Sequence, residues 1–209
     1  MASLLNSFST AQIVSLSTTQ VQSLTASDIA DLTTATLSVL TTAQVSSLTN
    51  AQVIALTTGQ VAALNTTTLG ALTTGQISAM EVADVAALTT ANVAALATRQ
   101  VAGLTATQAA GLTTAQVASL TTLTVGALNT AQIAGLSSQQ LADLSTNTLR
   151  SLNTVQMSAL ETSDLVALSV ESLGALQGTQ IQALLTAQLT ALTSVQLAGL
   201  NSAAVERGQ

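Results

Sequence analysis

Leu returns at every eighth residue from Leu16 to Leu200, with Met80 the only substitute. A second apolar residue (Val, Ile, Leu or Met) returns at the same interval from Ile13 to Val205, with Ala109 the only exception. A repeat this strict fixes the architecture before any single residue does. One unit of eight residues is too small to bury its own apolar face, so stability requires that copies stack on one another.

Numbered from its Leu as position 0, the unit reads Leu-Thr-Thr-Ala-Gln-Val-Ala-Ser, as in Leu112–Ser119. Position 1 is usually Thr, Ser or Asn (Thr41, Asn65, Thr113, Ser137), the residues whose side-chain oxygen best accepts a free N–H at a helix start. Position 4 is usually Gln (Gln44, Gln116, Gln132), which completes a capping box. The Leu before the cap and the Val after the Gln occupy the two positions of a hydrophobic staple. Cap, box and staple coincide, and each unit is expected to open a helix spanning positions 2 to 7.

A continuous helix does not fit. Eight residues at about 100° each overshoot two turns by about 80°, so the apolar stripe would wind around the rod. A straight strand does not fit either, because apolar spacings of five and three put Leu and Val on opposite faces. The expected fold is all-α, a superhelical solenoid of very short capped helices, one per octad. A β-solenoid with corners is the alternative, since Thr and Val suit strands. The small residues at positions 6 and 7, such as Ala62-Ala63 and Ala102-Gly103, should mark where helices of successive coils approach.

Position 4 carries a slower rhythm. Gln gives way to Thr36, Thr68, Asn92, Thr124, Thr148, Ser172 and Ala204, at steps of three or four octads. Asp28, Asp84 and Asp164 each stand one octad before a member of that series, and Gly70, Gly126 and Gly174 sit at position 6 of three of its octads. The spacing predicts about 3.5 octads per superhelical turn. It places the short residues on one side of the rod, where a partner packs closely or an internal corner needs less bulk.

The remaining composition excludes more than it suggests. The chain has no His, Cys, Lys, Tyr, Trp or Pro, and its one aromatic is Phe8. A net charge of −6, with Arg99, Arg150 and Arg207 as the only cations, argues against nucleic acid as a partner. Thr, Ser, Asn or Gln interrupts every apolar run, so no membrane span is expected. The first residues lack the basic segment and long apolar run of a secretory signal. Hydroxyls are abundant, but nothing stands ready to activate them, so an enzyme is not expected. Asp28 with Asp31, Glu81 with Asp84, and Glu161 with Asp164 are spaced by three, which suits carboxylates at helix starts better than a metal site. No cofactor is expected.

Residues 1–12 lead in, residues 13–200 are unbroken repeat, and residues 201–209 form a tail. The caps are imperfect at Glu81, Ala97, Glu161, Gln177 and Leu185. Leu185 beside Leu184 reads as a core adjustment, and Phe8 as a plug for the first coil. Leu5 and Phe8 already hold the apolar slots at one end, and Leu200 and Val205 hold them at the other. Solenoids normally end in polar caps, and these ends are close to ordinary repeats. These four residues are therefore the expected assembly ends, where copies join head to tail or a longer parent chain continues.

The octads Leu40–Ser47 and Leu112–Ser119 resemble the Leu-Thr-Thr-Ala-Gln-Val-Ala-Ala arrays of large repetitive bacterial proteins labelled adhesin-like, haemolysin-like or haem-utilisation proteins. That resemblance covers nearly the whole chain and implies an extracellular or cell-surface setting. It brings no catalytic residues. The haem label gains no support from a chain without His, Cys or Tyr. Two functions are expected from these readings. One is a structural array that self-assembles head to tail into a filament or serves as a rigid spacer. The other is a binding module whose regular Thr/Gln face contacts a polysaccharide, ice or a surface protein.

Overall fold

The computed structural model describes residues 4–206, with side chains for residue 5 and residues 7–200. Among the described residues there are no β-strands; after a 3₁₀ turn at Leu4–Ser7, the chain forms twenty-four α-helices, one per octad. All but the last are four to six residues long, and the last, Ser194–Glu206, has thirteen. The chain forms two compact units, Met1–Leu104 and Thr105–Gln209, each built as an all-helical solenoid.

The octad dictates each helix. In Thr42–Ser47, Thr41 precedes the helix in an extended conformation (φ −70°, ψ 159°). Its hydroxyl accepts from the Gln44 N–H at 3.2 Å, and its own N–H donates to Gln44 Oε1 at 2.8 Å. Two N–H groups that a helix start leaves unpaired are thereby satisfied. At the other end the Leu48 N–H donates to the Val45 carbonyl at 3.1 Å, which tightens the last turn. Leu48 is itself extended (φ −54°, ψ 138°). Two extended residues, the Leu and the cap, therefore re-aim the chain between helices. No described residue has positive φ, so the reversal needs no glycine.

None of the five imperfect caps makes a side-chain cap bond. At three of them the N–H at position 4 turns to the cap residue's carbonyl: Gln100 to Ala97 at 2.9 Å, Asp84 to Glu81 at 3.1 Å, and Asp164 to Glu161 at 3.1 Å. These helices start on 3₁₀-type bonds. Leu185 departs from the core role expected of it. As a cap-position residue it points outward and is 52% exposed.

Both apolar slots are buried, and so is Gln. In the first unit the Gln44 amide nitrogen donates to the Ile13 carbonyl at 2.8 Å and the Leu16 carbonyl at 2.9 Å. Gln52, Gln60, Gln76 and Gln100 repeat the pattern, each reaching carbonyls 31 and 28 residues back. In the second unit Gln156, Gln180 and Gln188 do the same. Twenty-eight residues are 3.5 octads, the turn length implied by the slow rhythm. Within each unit a helix packs chiefly on the one three octads earlier, and because the count is half-integral its position-4 Gln lies at the junction between that helix and the one before it. The side-chain amide there meets carbonyls that those helices leave turned outward at their ends.

Close backbone approach occurs at position 7. A Cβ on Gly103 would lie 3.1 Å from Thr74 Cβ, and one on Gly135 would lie 3.2 Å from the Ala106 carbonyl oxygen. In both cases position 7 meets position 2 of an octad 29 residues earlier. The position-6 glycines are looser. Gly126 and Gly174 have only ordinary contacts beyond 3.5 Å, and Gly70 has none within 4 Å.

Replacing Gln100 by Met keeps the bulk and removes the bridge. The Ala97 N–H loses its acceptor and the Leu72 carbonyl its amide donor, while the Leu69 carbonyl keeps the Leu72 N–H at 3.1 Å. Buried groups left unpaired cost about 1–3 kcal/mol each. Gln100→Met is therefore expected to destabilise by about 2–4 kcal/mol, read as a lower urea midpoint with unchanged helical circular dichroism. Gln12→Met, where the amide reaches no carbonyl of another turn among the described residues, is expected to cost less than half as much.

Candidate functional site

The position-4 layer lies inside each solenoid. Thr36, Thr68, Asn92, Thr124, Thr148 and Ser172 are all buried, so the short residues face an internal layer and offer no outer face to a partner. Asn92 keeps one inter-turn bond, from its amide to the Leu64 carbonyl at 2.7 Å. Thr68, Thr124, Thr148 and Ser172 direct their hydroxyls to their own cap residue or its backbone. Ala204 lies beyond the described side chains. From Gln44 to Gln196 the position-4 Gln array is buried, so a regular outer face there would consist of Thr without Gln.

The carboxylates at position 4 occupy the same slot with different chemistry. Asp28, on the first turn, accepts from the Thr25 hydroxyl at 2.6 Å and the Thr25 N–H at 2.9 Å, and these two bonds hold its pKa below the ordinary value. Asp164 accepts from the Glu161 N–H at 2.8 Å and from Ser138 Oγ, one turn back, at 2.9 Å. Asp84 is buried beside Glu81. Burial, followed by the Glu81 charge, pushes its pKa up. An ionised carboxylate can only accept, so it cannot serve the carbonyls beneath it as the Gln amide does. Among the described residues, no three His, Cys, Asp or Glu side chains gather as metal ligands. No described helix is long and apolar enough to cross a membrane.

The first and last turns expose what interior turns hide. The first-turn leucines Leu16 and Leu24 are half-buried and Phe8 is exposed, whereas interior leucines at position 0 are buried. At the other end the position-5 residues Ile181, Leu189 and Leu197 are half-buried, whereas their interior counterparts are buried. Position-0 leucines are thus covered by the preceding turn, and position-5 residues by the following one. Polar groups divide the same way. Gln12 and Gln20 accept from their caps at 2.8 Å, but their amide nitrogens reach no carbonyl of another turn among the described residues. The last turn carries carbonyls such as those of Leu189 and Leu192 with no described Gln above them.

Of the sequence-derived ends, Leu5 and Leu200 are buried. Phe8 lies at the open edge and does not plug the coil. It lines a hollow of about 340 Å³ with Ile13, Val39 and the hydroxyls of Thr10, Thr33 and Thr36. The short Thr36 stands 28 residues after Phe8, where a Gln would otherwise reach across. The Val205 side chain lies outside the described residues. Sequence reasoning missed Leu16, Leu24, Gln12, Gln20, Ile181 and Leu189. They read as ordinary repeat positions, and only the direction of the stacking makes them edges.

The profile of the ALTTAQ repeat matches residues 53–90, 77–114, 85–122 and 157–194. Together these matches cover 108 of the 209 residues. The chain belongs to the ALTTAQ repeat family. The overlapping matches, offset by whole octads, reflect a repeat that can be read in several registers. No protein of curated function matches the chain.

The Asp84 slot yields a pH-dependent prediction. Its folded-state pKa lies above the unfolded value, so the folded state holds the proton more tightly. The penalty for ionising it is absent below the unfolded pKa and grows as pH rises through the folded one. Asp84→Gln is expected to stabilise the ALTTAQ array by about 1–2 kcal/mol at neutral pH, by removing the charge and restoring the bridge. That gain should shrink below about pH 4, where Asp84 is protonated in both states. Urea midpoints of the two chains at acid and neutral pH measure this.

Proposed function

We propose that this ALTTAQ array is a structural protein that joins head to tail into an extracellular filament, with a non-enzymatic role. The observation that carries the reading is the match between its two open edges. One edge presents leucines and the Gln12 and Gln20 amide nitrogens, and the other presents position-5 apolar residues and carbonyls, such as those of Leu189 and Leu192, that no described Gln amide reaches. Those are the two halves of the contact made at every interior turn. A heterologous contact of this kind does not close on itself, and it propagates as an open fibre. The same edges suit a rigid spacer in which a further stretch of array continues the stack. The resemblance of the octads to those of bacterial surface arrays supports a cell-surface or secreted setting.

Negative-stain electron microscopy of the purified chain at neutral pH tests the reading. Unbranched filaments that lengthen with protein concentration are expected. Separate short particles at every concentration would leave the spacer and contradict the filament.

A further inference from the structure

Resting on the head-to-tail reading, the structure also assigns the register of the joint. Inside each unit a position-4 amide reaches the carbonyls 28 and 31 residues back. On the last turn, Ser194–Glu206 packs on Val170–Gly174 and Gly178–Gln182, so the seat above Gly178–Gln182 is held by the chain's own final helix. The next seat lies above the end of Thr186–Ala191. Among the described residues no Gln amide reaches it: Leu189 is half-buried, and its carbonyl accepts the Leu192 N–H at 3.3 Å. On the opposite edge the first position-4 amide is that of Gln12, which reaches no carbonyl of another turn among the described residues. Its Oε1 accepts from the Ser9 N–H at 2.8 Å, as Gln44 Oε1 does from Thr41.

We infer that a second copy of this chain seats its first turn on the last turn of the first, with Gln12 Nε2 donating to the Leu189 and Leu192 carbonyls. Leu16 and Leu24 of the incoming copy then cover Leu189 and Leu197, as position-0 leucines cover position-5 residues in the interior. The joint is one more inter-turn contact, in the register the octads already use. It follows that Ser15, at position 7, comes to lie against Ser194, at position 2, in the relation that Gly103 bears to Thr74 and Gly199 to Val170. In those pairs an added Cβ falls 3.1 and 3.9 Å from the facing Cβ. That approach suits a disulfide, whose Cβ atoms lie about 3.5–4.5 Å apart.

The chain has no cysteine, so the joint can be marked without background. Ser15 and Ser194 are both exposed, and neither belongs to the core. The experiment mixes a Ser15→Cys chain with a Ser194→Cys chain in equal amounts under mild oxidation, and reads the products on a non-reducing gel. A 1:1 cross-linked dimer is expected from the mixture, with none from either variant alone. Ser15→Cys mixed with Thr186→Cys, one octad out of register, should give none. Filaments without the Ser15–Ser194 product, or with the Thr186 product in its place, would overturn the register and leave the head-to-tail reading standing. If the unmodified chain forms no filaments and the mixture gives no cross-link, both fail.

Discussion

Each solenoid depends on one side chain that bonds in two directions. The Gln at position 4 accepts from the N–H at the start of its own helix and donates to two carbonyls at a helix end in the turn before it. A helix of five or six residues is too short to be stable alone. Its ends carry most of its backbone polar groups, and burying such ends requires a partner for each. The amide supplies partners at both ends at once, which makes repeated burial of helix termini possible. No other uncharged side chain of similar size combines an acceptor and a two-proton donor at this reach. Asn is shorter, and Asn92 reaches a single carbonyl.

The same interaction fixes the geometry. Because the amide must find carbonyls at a helix junction, the turn closes at a half-integral number of octads. The apolar residues then follow suit, with position-0 leucines above position-5 residues of the turn below. Direction is built into every layer: donors and leucines face one way, carbonyls and Val-type residues the other. A stack of such layers has unlike edges that fit one another. The filament reading therefore requires only the interaction already used inside, repeated between chains.

Much of this was legible in the sequence. Thr41 with Gln44, flanked by Leu40 and Val45, announced a capped helix start, and the structure has one there. The broken caps at Ala97 and Leu185 were equally readable. The turn length followed from the steps between Thr36, Thr68, Asn92 and their successors, because residues in equivalent seats share constraints. The second role of Gln was not legible. Capping alone accounts for its presence, and its carbonyl partners lie a full turn away. For the small position-4 residues the sequence leaves two readings, a close partner or an internal corner, and their burial favours the internal one: they line the inter-turn layer. The edges stayed hidden because Leu16 and Leu189 differ from interior positions only in what lies above or below them.

Exchange of side-chain amide protons tests the central claim most directly. The carboxamide protons of Gln44, Gln52, Gln60, Gln76 and Gln100, followed by NMR after transfer to D₂O, should exchange far more slowly than those of Gln12 and Gln20. Dilute protein must be used, so that the first-turn edge is free. If the interior amides exchange as fast as the two on the first turn, the turns are not bridged by Gln, and the account of how this repeat stacks is wrong.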